Sequence, residues 1–301
     1  MASMAAFLRR VRRAIWLRLV NQAGRAGWRG SLGAYVGRRF GWPLGPGLRI
    51  IIDNVDEFIQ REVLAGNYEP NVIALIRALV QPGDLFVDIG ANMGYMSLVA
   101  AGCGGRVHAF EPVPRLARRI RENIALNRLQ DRIAVQEQAV SSSNQPRTFY
   151  IAKRLDDGSH SLIAGVPATS VESITVPCTT LDEYLRSTNS DIPALVKIDV
   201  EGAEAMVLDG ATRTMESGVP PIFIFETADR LADAIGESAA SVLRRFTTRG
   251  YKVFLVPEYE GAITEVTAET PIGRLANYLA VHPSSRRAGL FYERYLATGT
   301  H

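Results

Sequence analysis

The segment that most limits how this chain can fold is LFVDIGANMGYMS, residues 85–97. A short apolar run ends at Asp88-Ile89, turns through Gly90, Asn92 and Gly94, and continues into residues with helical character. Glycines allow a tight backbone turn and close approach of another group. A buried strand that turns on glycine into a helix is the opening unit of an α/β fold. In such folds ligands bind beyond the carboxyl ends of the strands.

The rest of the chain repeats this alternation. Leu85–Ile89, Val107–Phe110, Ile133–Gln138, Leu195–Ile198, Ile222–Phe225, Tyr251–Val256 and Leu275–Val281 read as strands. Residues 55–80, Tyr95–Ala101, Pro114–Asn127, Ala203–Met215 and Ser238–Arg249 read as helical. The polar stretch 141–180 suggests an inserted hairpin or loops. Short apolar strands separated by helices imply a parallel sheet covered on both faces. The expected fold is α/β: a doubly wound, mostly parallel, seven-stranded Rossmann-like sheet with an N-terminal helical extension.

Charge separates that extension from the rest. Ten arginines and no lysine precede Asp53, the first acidic residue, so residues 1–52 carry +10. The remaining 24 basic and 31 acidic residues leave 53–301 at −7. The expected division is a basic extension, 1–52, and one large domain, 53–301. A block of this kind reads as an electrostatic tail, and the body has no nucleic-acid-binding balance. Residues 4–20, MAAFLRRVRRAIWLRLV, form an imperfect basic amphipathic helix. Such a helix packs, stays solvated, lies on an anionic membrane surface or serves as a transit segment. Residues 21–47 read as an irregular linker. No run reaches the ~18 apolar residues of a transmembrane helix. Cys103 and Cys178 make neither a disulfide framework nor a zinc spacing, which suits reduced thiols in a cytoplasmic protein.

The turn also discriminates among cofactors. A dinucleotide fingerprint is G-x-G-x-x-G, and its second glycine lets backbone approach a pyrophosphate. Here the spacing is D-x-G-x-x-x-G, with Asn92 at that place, and no Tyr-x-x-x-Lys base follows. A nicotinamide cofactor is therefore disfavoured. Glu111 ends the second strand, 21 residues after Gly90, where a carboxylate can accept both hydrogen bonds of a ribose diol. S-adenosylmethionine, a nucleoside without pyrophosphate, satisfies both features. A second cluster, Lys197, Asp199, Glu201 and Glu204, brackets the end of the fourth strand beside the first. If that strand continued, Asp199 and Glu201 would face opposite sides.

DIGANMGYMS, HAFEPVP (108–114), ENIALN (122–127), TLDEYL (180–185), KIDVEGAE (197–204), FIFE (223–226), GY (250–251) and NYLAVH (277–282) occur in this order. Over about residues 66–282 the chain resembles the FkbM-type S-adenosylmethionine-dependent methyltransferases, with KIDVEGAE the most discriminating piece. The resemblance implies a seven-stranded methyltransferase sheet and O-methylation of a hydroxyl on a sugar, glycan, glycolipid or natural product. By position it implies that Asp88, Gly90, Ala91, Asn92 and Gly94 line the methionine moiety and ribose. Glu111 is then expected on the ribose hydroxyls, Gln138 and Ala139 against the adenine, and Asp199 near the sulfonium methyl. The stretch 156–163, DDGSHSLI, resembles a family loop over the substrate.

An alcohol is a poor nucleophile, so a general base is expected. Asp199 or Glu201 is the first candidate, Glu226 the second, and His160 a third with a suitable pKa. His108 and His282 read as packing residues. A divalent metal is conceivable with Asp199, Glu201 and Glu226 together, but no dense ligand cluster supports it, so no metal is expected. A small-molecule or glycan acceptor is the expected partner, with peripheral contact to an anionic membrane through the N-terminal segment. The competing reading is a membrane-associated assembly protein that kept the fold and lost the chemistry.

Overall fold

The computed structural model describes residues 41–45, 47–52, 62–63, 66–152, 160–164, 171–229, 237–259, 261–267, 269–270 and 275–296. The expected helix over 4–20 lies outside them, as do 55–61 and 64–65 of the expected 55–80 helix and 156–159 of the DDGSHSLI loop. The chain divides into two compact units, Met1–Tyr68 and Glu69–His301.

In the first unit, β1 (Trp42–Gly45) pairs antiparallel with β2 (Leu48–Ile50). The end of the expected linker is thus a strand. Gly47 has φ 75°, a left-handed conformation that lets the chain reverse there.

The second unit opens with α1 (Pro70–Leu79), which buries Val72, Ile73, Leu75, Ile76 and Leu79. Proline suits this start because its missing N–H would have no intrahelical partner. Then follow β3 (Leu85–Ile89), α2 (Tyr95–Gly102), β4 (Arg106–Phe110), α3 (Pro114–Asn127) and β5 (Ile133–Gln136). Two short strands, β6 (Ala139–Val140) and β9 (Cys178–Thr179), pair with each other. Between them β7 (Arg147–Ala152) and β8 (Val171–Val176) form the hairpin expected within 141–180. The chain continues through α4 (Leu181–Ser187), β10 (Leu195–Ile198), α5 (Glu204–Asp209), α6 (Thr212–Met215) and β11 (Ile222–Thr227). It closes with α7 (Ala239–Thr247), β12 (Lys252–Val256), β13 (Thr264–Val266), β14 (Ala276–Val281) and α8 (Ala288–Phe291).

The main sheet has eight strands in the order β13-β12-β14-β11-β10-β3-β4-β5. All seven expected strands are present, and Thr264–Val266 adds an eighth at the edge, antiparallel to β12. β5, β4, β3, β10 and β11 run parallel, and β14 is antiparallel to both its neighbours. From β3 the chain winds outward through β4 and β5, then returns on the other side to β10. The crevice beyond the carboxyl ends of β3 and β10 is therefore the topological switch point, where such sheets bind ligands.

Every residue of β3 and β10 is buried, which accounts for their nearly unbroken apolar runs. The exceptions, Asp88 and Lys197, are partners in the parallel register. On the β11 side Phe223, Phe225, Phe246 and Tyr251 pack with ring centroids 4.7–5.8 Å apart. Each such buried ring contributes about 1.5–3 kcal/mol relative to exposure. His108 stands edge-on to Tyr184 and His282 to Tyr251, as packing residues do.

Several boundaries shift by a residue or two, and two of the differences have a direct structural cause. The third strand ends at Gln136, not Gln138, because the Ala139 amide turns to the Pro177 carbonyl and begins β6. The helical region 203–215 is two short helices broken at Gly210, where a Cβ would overlap the Ser141 carbonyl oxygen.

Candidate active site at the switch point

The glycine turn is built for close approach to β10. Gly90 has φ 84°, and a Cβ there would overlap the carbonyl oxygen of Asp199. The Asp199 amide in turn donates to the Ile89 carbonyl at 2.9 Å. Asn92 takes φ 52°, a left-handed conformation that asparagine tolerates better than most residues. Gly94, φ 84°, packs over Ile120 of α3.

The amides of this turn are already engaged. Gly90 and Ala91 both donate to the Phe110 carbonyl, at 3.0 and 2.9 Å, and Gly94 donates to Ala91 at 2.7 Å. The Asn92 amide donates to Glu111 Oε2 at 2.9 Å. A pyrophosphate cradle needs such amides pointing at the ligand, so the turn does not suit a dinucleotide.

Glu111 joins the turn to β4. Its Oε1 accepts from the Val113 amide at 2.9 Å, so each carboxylate oxygen holds one backbone donor. Each oxygen keeps acceptor capacity for one more partner. Burial pushes this carboxyl up to about 8, against the pull of those two amides. Gln138 lies beyond the end of β5, and Ala139 is buried in β6.

At the carboxyl end of β10 the acidic residues converge. Lys197, 3% exposed, reaches Asp199 Oδ2 at 2.7 Å. Burial opposes charge on Lys197, but Asp199, Glu69 and Asp88 outweigh it and raise its pKa. Asp88 is 1% exposed; its Oδ2 accepts from Ser97 Oγ at 2.6 Å, and its Oδ1 is buried without a hydrogen-bond partner. Burial raises its pKa against Lys197 and Ser97.

The strand ends at Ile198, as expected, so the alternation that would send Asp199 and Glu201 to opposite sides does not apply. Glu201 takes φ 52°, and its carbonyl is held by Ser161 Oγ at 2.8 Å. The turn brings Asp199, Glu201 and Glu226 together, with ligand atoms all within 4.8 Å of one another. This trio has the donor set of a hard-cation site, and Lys197 already supplies a positive charge to it. Burial, with Asp199, Glu69 and Glu201, pushes the Glu226 carboxyl up to about 10. Glu204 lies beside the trio: its Oε1 accepts from the Gly202 amide, and burial pushes it up to about 7.

His160 is not a member of this acidic trio. Its Nδ1 accepts from the Ala152 amide at 3.2 Å, and its Nε2 faces Arg115 at 3.3 Å. Neutral imidazole has one acceptor nitrogen, so this arrangement leaves it poorly placed to take a proton.

Two residues escape sequence reading. Ser97 is an unremarked helix residue that holds Asp88 in place. Glu69 precedes α1 and lies far along the chain from the other carboxylates, yet it interacts with Lys197, Asp199 and Asp88. Only the tertiary fold brings it there, and no local motif marks it.

The family model described as the methyltransferase FkbM domain matches residues 88–253, which includes the glycine turn, Glu111 and the acidic trio but not Glu69. The chain belongs to the FkbM methyltransferase family. It is a methyltransferase, and S-adenosylmethionine is its methyl donor. Among curated relatives, hexuronic acid methyltransferase AglP of Haloferax volcanii is 28% identical over 58% of this chain and 68% of its own length. The 31-O-demethyl-FK506 methyltransferase FkbM of Streptomyces tacrolimicus is 31% identical over 44% of this chain and 60% of its own length. A SAM-dependent O-methyltransferase structure from Thermotoga maritima is 12% identical, covering 71% of this chain and 65% of that one at a TM-score of 0.39. That likeness is too weak to add to the strand order. As an FkbM-family enzyme the protein fits its donor on its own geometry. Glu111 can still accept hydroxyl hydrogen bonds, and the acidic residues gathered at the switch point suit a cationic nucleoside.

Proposed function

We propose that this FkbM-family enzyme transfers a methyl group to a hydroxyl oxygen of a sugar, glycan or natural product. The observation that carries this reading is the convergence of Asp199, Glu201 and Glu226 around Lys197, next to the Gly90 turn. A hydroxyl acceptor needs a proton acceptor, and such a cluster provides one. The substrates that name the two relatives, a hexuronic acid and a natural product, support an oxygen-bearing acceptor of this kind.

When bound, S-adenosylmethionine supplies a methyl carbon activated by its sulfonium. Glu111 would hold the ribose hydroxyls, and Asp88, Gly90, Ala91, Asn92 and Gly94 the methionine moiety and ribose, with Gln138 and Ala139 toward the adenine. Glu226, in its deprotonated form, would accept the proton of the acceptor hydroxyl as the methyl passes from sulfur to that oxygen. The products are a methyl ether and S-adenosylhomocysteine. Glu226 can act so only once its own proton has left, and its raised proton affinity then makes it a stronger base than an ordinary carboxylate. Asp199, pinned by Lys197, orients the site, and Glu201 completes the acidic wall. His160 has no proton-transfer role in this reading.

The test pairs calorimetry with turnover. Wild-type protein is expected to bind S-adenosylmethionine at micromolar levels and to methylate at least one compound in a panel of glycosides and hydroxylated natural products. Glu226→Gln should retain donor binding and lose at least about 100-fold in kcat, the range for loss of a general base. Absence of donor binding, or full turnover by Glu226→Gln, would reject the reading or the base assignment respectively.

No helix among the described residues is long and apolar enough to cross a membrane. For the arginine-rich segment 1–52 we propose peripheral contact with anionic lipid.

A further inference from the structure

Among the described residues, the switch point gathers far more carboxyl groups than cations. Glu69, Asp88, Asp199, Glu201 and Glu226 surround one ammonium, Lys197. Glu69 is the member that neither the glycine motif nor the KIDVEGAE segment contains. Its Oε1 accepts from Asn277 Nδ2 at 3.2 Å, and Asn277 is the cross-strand partner of Glu226. Glu69 is thereby fixed beside Glu226 from the opposite end of the sequence. Its Oε2 is buried and has no hydrogen-bond partner. Its backbone is held at φ 43°, ψ 53°, a left-handed conformation without glycine.

A buried orphan oxygen and a disfavoured backbone both work against stability. Such features persist where function maintains them. A wall of acceptors is complementary to a ligand rich in donors. A single reacting hydroxyl engages Glu226 and leaves Glu69 Oε2 unmatched, whereas a polyol has further hydroxyls to offer. We propose that Glu69 is a specificity-determining residue of the acceptor site, whose Oε2 accepts a hydrogen bond from a second hydroxyl of a polyhydroxylated acceptor. Asn277 is the positioning residue that aims it. The inference rests on the hydroxyl-methylation reading above and narrows its acceptor to sugar-like polyols over substrates with an isolated hydroxyl.

The experiment compares methyl glucoside, methyl glucuronoside and myo-inositol with cyclohexanol. Turnover is read as kcat/KM, and affinity is read by calorimetry in the presence of S-adenosylhomocysteine. Wild-type enzyme is expected to favour at least one polyol over cyclohexanol by 10-fold or more, since sites built to bond a hydroxyl reject analogues that lack it. Glu69→Gln should shrink that ratio to within about 3-fold, and Asn277→Ala should shrink it in the same direction. Thermal unfolding separates this from a structural role. Glu69→Gln should unfold at or above the wild-type temperature, because it removes a carboxylate from an acidic cluster. A wild-type enzyme without polyol preference, or an unchanged ratio in both variants, overturns the proposal while leaving hydroxyl methylation intact. Failure to bind S-adenosylmethionine or to methylate any hydroxyl compound overturns the underlying reading, and this one with it. Should Glu69→Gln not fold, the Asn277→Ala ratio decides.

Discussion

Gly90 and Asp199 stand so close that a methyl group on the first would overlap the backbone carbonyl of the second. The contact locks the turn after β3 to the end of β10, the two strands that flank the switch point. Everything proposed for the site depends on this closeness. It sets the glycine turn and the acidic cluster side by side.

Gly90→Ala is therefore expected to damage the site directly. Its φ of 84° alone costs a non-glycine residue about 1–2 kcal/mol, and the clash adds to that. Binding of S-adenosylmethionine should weaken at least about 10-fold by calorimetry, with a lowered denaturation midpoint. Wild-type affinity in a folded Gly90→Ala protein would contradict the arrangement.

Lys197→Met should be strongly destabilising. The ammonium is almost wholly buried and is the counter-charge for Asp199, with Glu69 and Asp88 nearby. Removing one partner of a buried pair typically costs about 3–5 kcal/mol. Urea unfolding at pH 7 measures the loss. The double variant Lys197→Met with Asp199→Asn should recover part of it.

Stability should fall as pH rises from about 5 toward 9. Glu204, Glu111 and Glu226 have folded-state values near 7, 8 and 10, above the ordinary 4.5. The folded protein thus holds protons that the unfolded chain releases near pH 4.5. The contribution of each group is full below that pH and is lost as pH climbs to the folded value. Glu226→Gln cannot titrate, so its stability relative to wild type should grow with pH, on the order of a few kcal/mol by pH 8. Melting temperatures across pH 5–9 test this, and a constant difference between the two proteins would refute it.

Turnover should survive EDTA. Asp199, Glu201 and Glu226 are close enough to hold a cation, but Lys197 already neutralises part of their charge. Loss of activity on chelation, restored by Mg²⁺ or Mn²⁺, would assign the trio to metal binding instead.

Deleting residues 1–25 should leave donor affinity unchanged and weaken binding to phosphatidylserine vesicles at low salt. Four of the ten early arginines lie within residues 9–13. Each basic residue near an anionic surface contributes about 1 kcal/mol. Equal sedimentation of both proteins with vesicles would remove the membrane reading.

The strands were legible because each carries a local signature. Leu195–Ile198 and Pro114–Asn127 fall where the apolar pattern places them, bounded by residues that stop a strand or start a helix. Thr264–Val266 was not legible, because a short, half-exposed edge strand takes its identity from pairing with β12. Asp88, Gly90 and Glu111 were legible as a set because their spacing follows the strand–turn–helix geometry. The direction of Glu201 was left open, because nothing local shows that the chain turns through a left-handed residue there.

Sequence alone determined the α/β alternation, the glycine turn and the acidic residues at strand ends, since these depend on periodicity and on conformations that few residues adopt. The tertiary structure decided which carboxylates meet. Glu69 and Glu226 are more than 150 positions apart, and they share a site because β14, inserted antiparallel beside β11, carries the Asn277 amide that holds Glu69 there. Proximity between residues so distant in the chain depends on strand order and register, and no local pattern of residues records it.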